Sequence, residues 1–191
     1  AFSFRMFVSQ LHSTRDLQTM SLFILLSICE TYSTFGLTGK GVIVSVIDYG
    51  IDYMHPDFRK ADGKSRILYL WDQTVAGTPP DGFSGGSEYS NEQIDQAIQS
   101  LDPYSVVPSI DTGGHGTAVA GIAAGNGSEN PDNIGVAPES DLIVVKIGQR
   151  GFRPFARTTE LMRAIKYVIE KSRQLNQPVV INMSFGMNDG S

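Results

Sequence analysis

The stretch Thr112 to Gly125, TGGHGTAVAGIAAG, leaves the chain fewer folding choices than any other part of the sequence. Glycines on both sides of His115 let the backbone turn sharply and come close to another surface, and Thr117 opens a run of small residues that reads as a closely packed helix. Ala118, Ala120, Gly121, Ala123 and Ala124 carry almost no side-chain thickness. The helix is therefore expected to lie flush against a sheet, with His115 on its first turn. A lone histidine at a helix start is ordinarily a satisfied structural residue, so any chemical role depends on partners elsewhere in the chain.

Size and charge narrow the classes those partners can belong to. With 191 residues, 41% of them hydrophobic and 18% charged, the chain can enclose one sizeable core in a single α/β domain or a large piece of one. A net charge of −5 and no basic stripe argue against nucleic acid as a partner, because nothing would displace phosphate counterions. Arg150, Arg153 and Arg157 are the densest basic group and read as a solvated loop. The single cysteine, Cys29, excludes an internal disulfide framework and a thiolate metal site, but leaves the compartment open. Met20 to Cys29, MSLFILLSIC, is the one strongly apolar run, too short for a transmembrane span of about 20 residues. It reads first as a buried helix or strand. The second reading is a targeting segment, although no small-residue cleavage site follows before Glu30.

Residues 1 to 35 show no clear period and are treated as an N-terminal extension of unknown role; 36 to 191 form the domain. Val42 to Ile47 is an apolar, β-branched run typical of a buried parallel strand, and it ends on Asp48. Functional groups of open α/β sheets gather at the carboxyl ends of strands, which makes Asp48 a candidate by position alone. Ile67 to Trp71 is a second strand. From about 72 to 111 the chain reads as a surface insertion around one short amphipathic helix, capped by Asn91, with Ile94, Ala97, Ile98 and Leu101 on one face. Leu142 to Ile147 is another buried strand. Thr158 or Thr159 opens a helix to about Leu175 that buries Leu161, Ile165, Val168 and Ile169, and Val179 to Met183 is the last strand. Strands alternating with helices predict a parallel sheet covered on both faces. A sheet stopping after Met183 would be left with an open apolar edge there.

An acid, a histidine and the Asn182 to Gly186 corner are thus expected at strand ends or a helix start. An aspartate that accepts from one imidazole nitrogen orients the ring and leaves the other nitrogen free to take a proton from a nucleophile. VIDYGIDYMHPDF, GGHGTAVAGIAAG and VVINMSFG, with GVAP at Gly135 to Pro138, resemble the aspartate, histidine and substrate segments of the subtilisin-like serine proteases, in which the triad runs Asp, His, Ser along the chain. The resemblance covers roughly residues 39 to 191. The insertion with LWDQT and EYSNEQIDQAI further resembles the clostridial germination (Csp-type) branch.

The resemblance implies that Asp48 is the triad aspartate and His115 the general base. Ser184, Phe185 and Gly186 would line the cleft and pair with an extended polypeptide substrate as an added strand. Asp57 matches a position that often binds calcium in this family; a turn-stabilising acid is the equal alternative. No cofactor is implied for catalysis, and a propeptide or a further C-terminal part of the domain is an expected partner. An extracellular or spore-associated location follows from the resemblance alone.

Three departures qualify it. Tyr49 stands where the family usually has Thr or Ser near the aspartate, and Ala118 replaces a frequent second histidine. No Gly-Thr-Ser motif and no oxyanion-hole asparagine segment occurs between Asn182 and Ser191. The chain alone is therefore expected to be inactive, with Ser184 part of the cleft and not a nucleophile. The alternative is a non-catalytic relative that binds peptides or a partner protease. A nucleotide-binding sheet fails on detail: Gly39-Lys40-Gly41 precedes its strand, and Gly63-Lys64-Ser65 lacks the glycine a phosphate loop needs upstream.

Overall fold

Alternation of continuous apolar runs with amphipathic ones has a simple structural consequence, a sheet with helices on both sides. The computed structural model describes residues 36–148 and 158–184, together with the backbone of one strand near the N-terminus. Six strands, β1 (Arg5–Val8), β2 (Ile43–Asp48), β3 (Ile67–Asp72), β4 (Ser87–Ser90), β5 (Asp141–Lys146) and β6 (Val179–Met183), form one sheet in the order β1-β6-β2-β5-β3-β4. All neighbours are parallel except β3 and β4. The Met20 to Cys29 run, the arginines at 150, 153 and 157, and Phe185 and Gly186 lie outside the described residues.

Strand periodicity sorts the core into two halves. Val44, Val46, Leu70, Leu142 and Val144 point to the face covered by α1 (Asn91–Gln99) and α3 (His115–Ala124), where Ile94, Ala97, Ala120 and Ala124 meet them. Ile43, Ile47, Trp71, Ile143 and Val145 point to the face covered by α4 (Thr158–Leu175), through Ala164, Tyr167 and Val168. A further single turn, α2 (Pro103–Val106), follows α1. β2 is buried at every position and β5 at all but its first, as expected of strands packed on both sides. Among the described residues no helix is long and apolar enough to cross a membrane.

Several local expectations change. The α4 helix buries Ala164, Tyr167, Val168 and Ser172, while Leu161, Ile165 and Ile169 are only partly covered. Ser90, not Asn91, caps α1: its Oγ accepts the Gln93 N–H, and the Gln93 side chain accepts the Ser90 N–H at 2.9 Å. Asn91 is the first helical residue and donates its amide to the carbonyls of Ser65 and Ile67. The helix ends before Leu101, which is fully exposed. The 72–111 stretch is not merely a surface insertion, because it supplies β4 and buries Ile94, Ala97 and Val107 in the core. β6 is not a sheet edge, since β1 pairs along it from Arg5–Val180 to Val8–Met183.

Arg66 joins these layers at the amino end of β3. The side chain is buried, and its guanidinium donates to the carbonyls of Asp57 (2.9 Å), Ala124 (2.6 Å) and Ser140 (2.7 Å). Ala124 is the last residue of α3, so a cation sits at that helix's negative end. Arg66→Met would leave those carbonyls buried without a donor and is expected to cost about 3 kcal/mol or more. Urea unfolding monitored by circular dichroism measures this, and a midpoint equal to the parent's would contradict it.

Candidate active site

The sequence dictates the meeting of β2 and α3 through glycine. Gly116, in the first turn of α3, is buried, and a Cβ there would be driven into the Gly50 carbonyl oxygen and lie 3.1 Å from the Asp48 Cβ. The helix can therefore rest on the carboxyl end of β2 without an intervening side chain. Of the small residues, Gly116, Ala120 and Ala124 face inward at four-residue spacing, whereas Ala118 is exposed. The flush packing expected of the whole run belongs to this one stripe.

That close approach brings the two candidates together across 67 positions of sequence. His115 Nδ1 lies 2.9 Å from Asp48 Oδ1 and 3.1 Å from Oδ2. Asp48 is fully buried, while the His115 side chain keeps 35% of its surface exposed. An ionised carboxylate can only accept, so this contact calls for a proton on Nδ1, the arrangement in which a neutral ring keeps the lone pair of Nε2. The Tyr49 N–H also donates to Asp48 Oδ1, at 2.7 Å. A backbone donor thus supports the aspartate whatever side chain follows it. Burial is the largest influence on the Asp48 carboxyl and raises it above its ordinary value, against the lowering effect of the His115 and Tyr49 hydrogen bonds.

Asp111 is the residue that sequence reasoning missed. Gly114, in the left-handed conformation, occupies the N-cap of α3 and has no side chain to cap it. Asp111 does so instead, its Oδ1 accepting the N–H groups of Gly113 and Gly114, its Oδ2 those of Thr117 N–H and Oγ1–H. Burial raises this carboxyl, but the hydrogen bonds from Thr117 and the glycines outweigh it and hold it below the usual range. The usable signal was an acid four residues before a histidine that opens a helix with no other capping side chain.

The other candidates fall in different places. Met183 pairs with Ile47, so Ser184 leaves the sheet at the same end as Asp48, and its hydroxyl bonds to Asn182 Oδ1 at 2.9 Å. Asp57 is buried in the short 3-10 turn Pro56–Phe58, where its Oδ1 accepts the Glu129 N–H at 2.8 Å and its carbonyl accepts the Asn126 N–H and the Arg66 guanidinium. These contacts clamp the 126–133 loop. Among the described residues no three His, Cys, Asp or Glu side chains gather as a metal set.

A family model described as the subtilase family, Peptidase_S8, matches residues 39–191. A subtilisin of Bacillus sp. (strain TA39) is 30% identical over 154 residues, 80% of this chain and 29% of that protein. The major intracellular serine protease of Bacillus subtilis (strain 168) is 31% identical over 153 residues, 79% of this chain and 36% of that protein. A solved structure described as that of the Clostridium perfringens CspB protease is 41% identical, with a TM-score of 0.74, covering 86% of this chain and 33% of that one. The last agrees with the Csp-type resemblance of the 72–111 stretch. The chain spans about a third of the length of these relatives.

Two outcomes follow from the geometry. Gly116→Ala is expected to lift the first turn of α3 off Asp48 and to cost about 1–3 kcal/mol, read from urea midpoints. Asp48 makes a pH-dependent contribution. A carboxyl whose folded value lies above its unfolded one, here 3.8, binds its proton more tightly in the native state. Its stabilising contribution is complete below the unfolded value and is lost as pH rises through the folded one. Asp48→Asn escapes that loss, so its stability relative to the parent should rise as pH is raised upward from 3.8. A difference that stays flat across that range would contradict the assignment.

Proposed function

Because the chain belongs to the subtilase family, we propose that it supplies the aspartate and the histidine of a serine endopeptidase, Asp48 as the orienting acid and His115 as the general base. The observation that carries this reading is the 2.9 Å contact between His115 Nδ1 and the buried Asp48 carboxylate. With Nδ1–H committed to Asp48, Nε2 takes the proton of a serine hydroxyl as its oxygen attacks a peptide carbonyl. The same nitrogen returns that proton to the departing amine as the C–N bond breaks. The Asp48 charge stabilises the imidazolium formed in between. The polypeptide substrate would lie along the backbone of Ser184, Phe185 and Gly186, at the strand end where Ser184 leaves the sheet.

No Gly-Thr-Ser sequence occurs after His115 among these 191 residues, so the nucleophile of the proposed triad comes from outside them. This chain by itself is expected neither to hydrolyse a peptide nor to label with a fluorophosphonate. The longer protein containing it is expected to do both, and His115→Ala in that protein should lower kcat by roughly 10⁶-fold, the scale of loss when a triad histidine of subtilisin is removed. A longer protein that binds peptide with no hydrolysis, or a His115→Ala variant as active as the parent, would refute the proposal.

A further inference from the structure

Lys146, at the carboxyl end of β5, has an acid on either side. The strand register sets it opposite Asp48 of β2 and opposite Asp72 of β3, so all three residues leave the sheet at the same end and on the face that carries α3. The ion pair that forms is with Asp72: Lys146 Nζ lies 3.2 Å from Asp72 Oδ2, with both side chains buried. The same ammonium donates to the Ile110 carbonyl at 3.0 Å. Asp72 Oδ2 also accepts the Ser109 hydroxyl at 2.7 Å, and its Oδ1 accepts the Thr74 N–H and hydroxyl. Residues 109 and 110 are thus tied down from both members of the pair. The next residue is Asp111, which caps the helix bearing His115.

We propose that Asp72, Lys146 and Ser109 are positioning residues for His115, acting in two ways through one buried network. They fix the 109–111 segment, and with it the first turn of α3, at the height that sets Nδ1 on Asp48. Asp72 also holds the ammonium away from Asp48. A buried cation in register with Asp48, released from Asp72, would be drawn towards that carboxylate and would compete with the imidazole for it. Arg66 and Asp57 serve the opposite end of α3 and take no part in this. The inference rests on the Asp48–His115 pairing of the proposed function, but not on hydrolysis.

The protonated nitrogen of a neutral imidazole is set by the hydrogen bonds the ring makes, which gives a readout that a purely structural change would not move. In the 191-residue chain labelled with ¹⁵N-histidine, the ¹⁵N shifts of the neutral His115 ring are expected to report Nδ1–H as the main form. Asp72→Asn, and independently the milder Ser109→Ala, should cost that form at least about half of its population. Tyr167→Phe breaks a half-buried hydrogen bond to Glu88 on the other side of the sheet and should leave the tautomer unchanged. Should Asp72→Asn fail to fold, Ser109→Ala decides the question. Folded variants that keep the parental tautomer would overturn the positioning role and leave the Asp48–His115 pair standing. A parent chain with its proton on Nε2 would overturn the pair itself, and the positioning role with it.

Discussion

The site depends first on an absent side chain. At Gly116 the backbone of α3 comes within contact of Gly50 and of the Asp48 Cβ, and this allows a hydrogen bond between residues 67 apart in sequence to be short. Gly50 lets the loop before α3 come equally close, since a Cβ on it would lie 2.9 Å from the Asp111 Cα. The two glycines therefore set how closely α3 and the loop before it approach the end of β2, and Ala120 and Ala124 continue the seam along the core. Packing at that density has few voids and little freedom, and a helix seated in it presents its first residue in one place.

Charged groups hold the helix at its two ends. Asp111 takes up the free amide groups at the amino end and Arg66 donates to the last carbonyl, each with the sign that the helix dipole favours there. Their effect is to make the position of α3 insensitive to the loops around it, including the 126–133 loop that Asp57 clamps. Beside them, Asp48 is kept in surroundings that favour its neutral form, and among the described residues an imidazole and one backbone amide offset this. Cost of that kind, accepted where chemistry needs a buried charge, is a common reason for a site to be less stable than the frame that carries it.

Much of the frame was legible from the residues themselves. β2, β5 and β6 are runs of β-branched residues, α4 repeats its apolar positions with helical period, and both signals are local. The small residues of α3 announced a close contact, and Asp48 stood at a strand end where function gathers. The sequence also held motifs that mark the family, those around Asp48 and His115 and then the VVINMSFG segment.

What the residues could not reveal were the partners of those elements. β1 carries no period of its own and is a strand because β6 offers it a ladder; β4 is held by β3, and the capping of α1 fell to Ser90 once Asn91 was drawn to the carbonyls of Ser65 and Ile67. Lys146 has two acids beside it in register and pairs with one, in company with Ser109 and the Ile110 carbonyl from a distant loop. Local pattern determined which elements exist and which residues could do chemistry. Which of them meet was decided by strand register and by the two glycines at the seam, because distance between chain segments is a property of the packed state and leaves no period in the sequence.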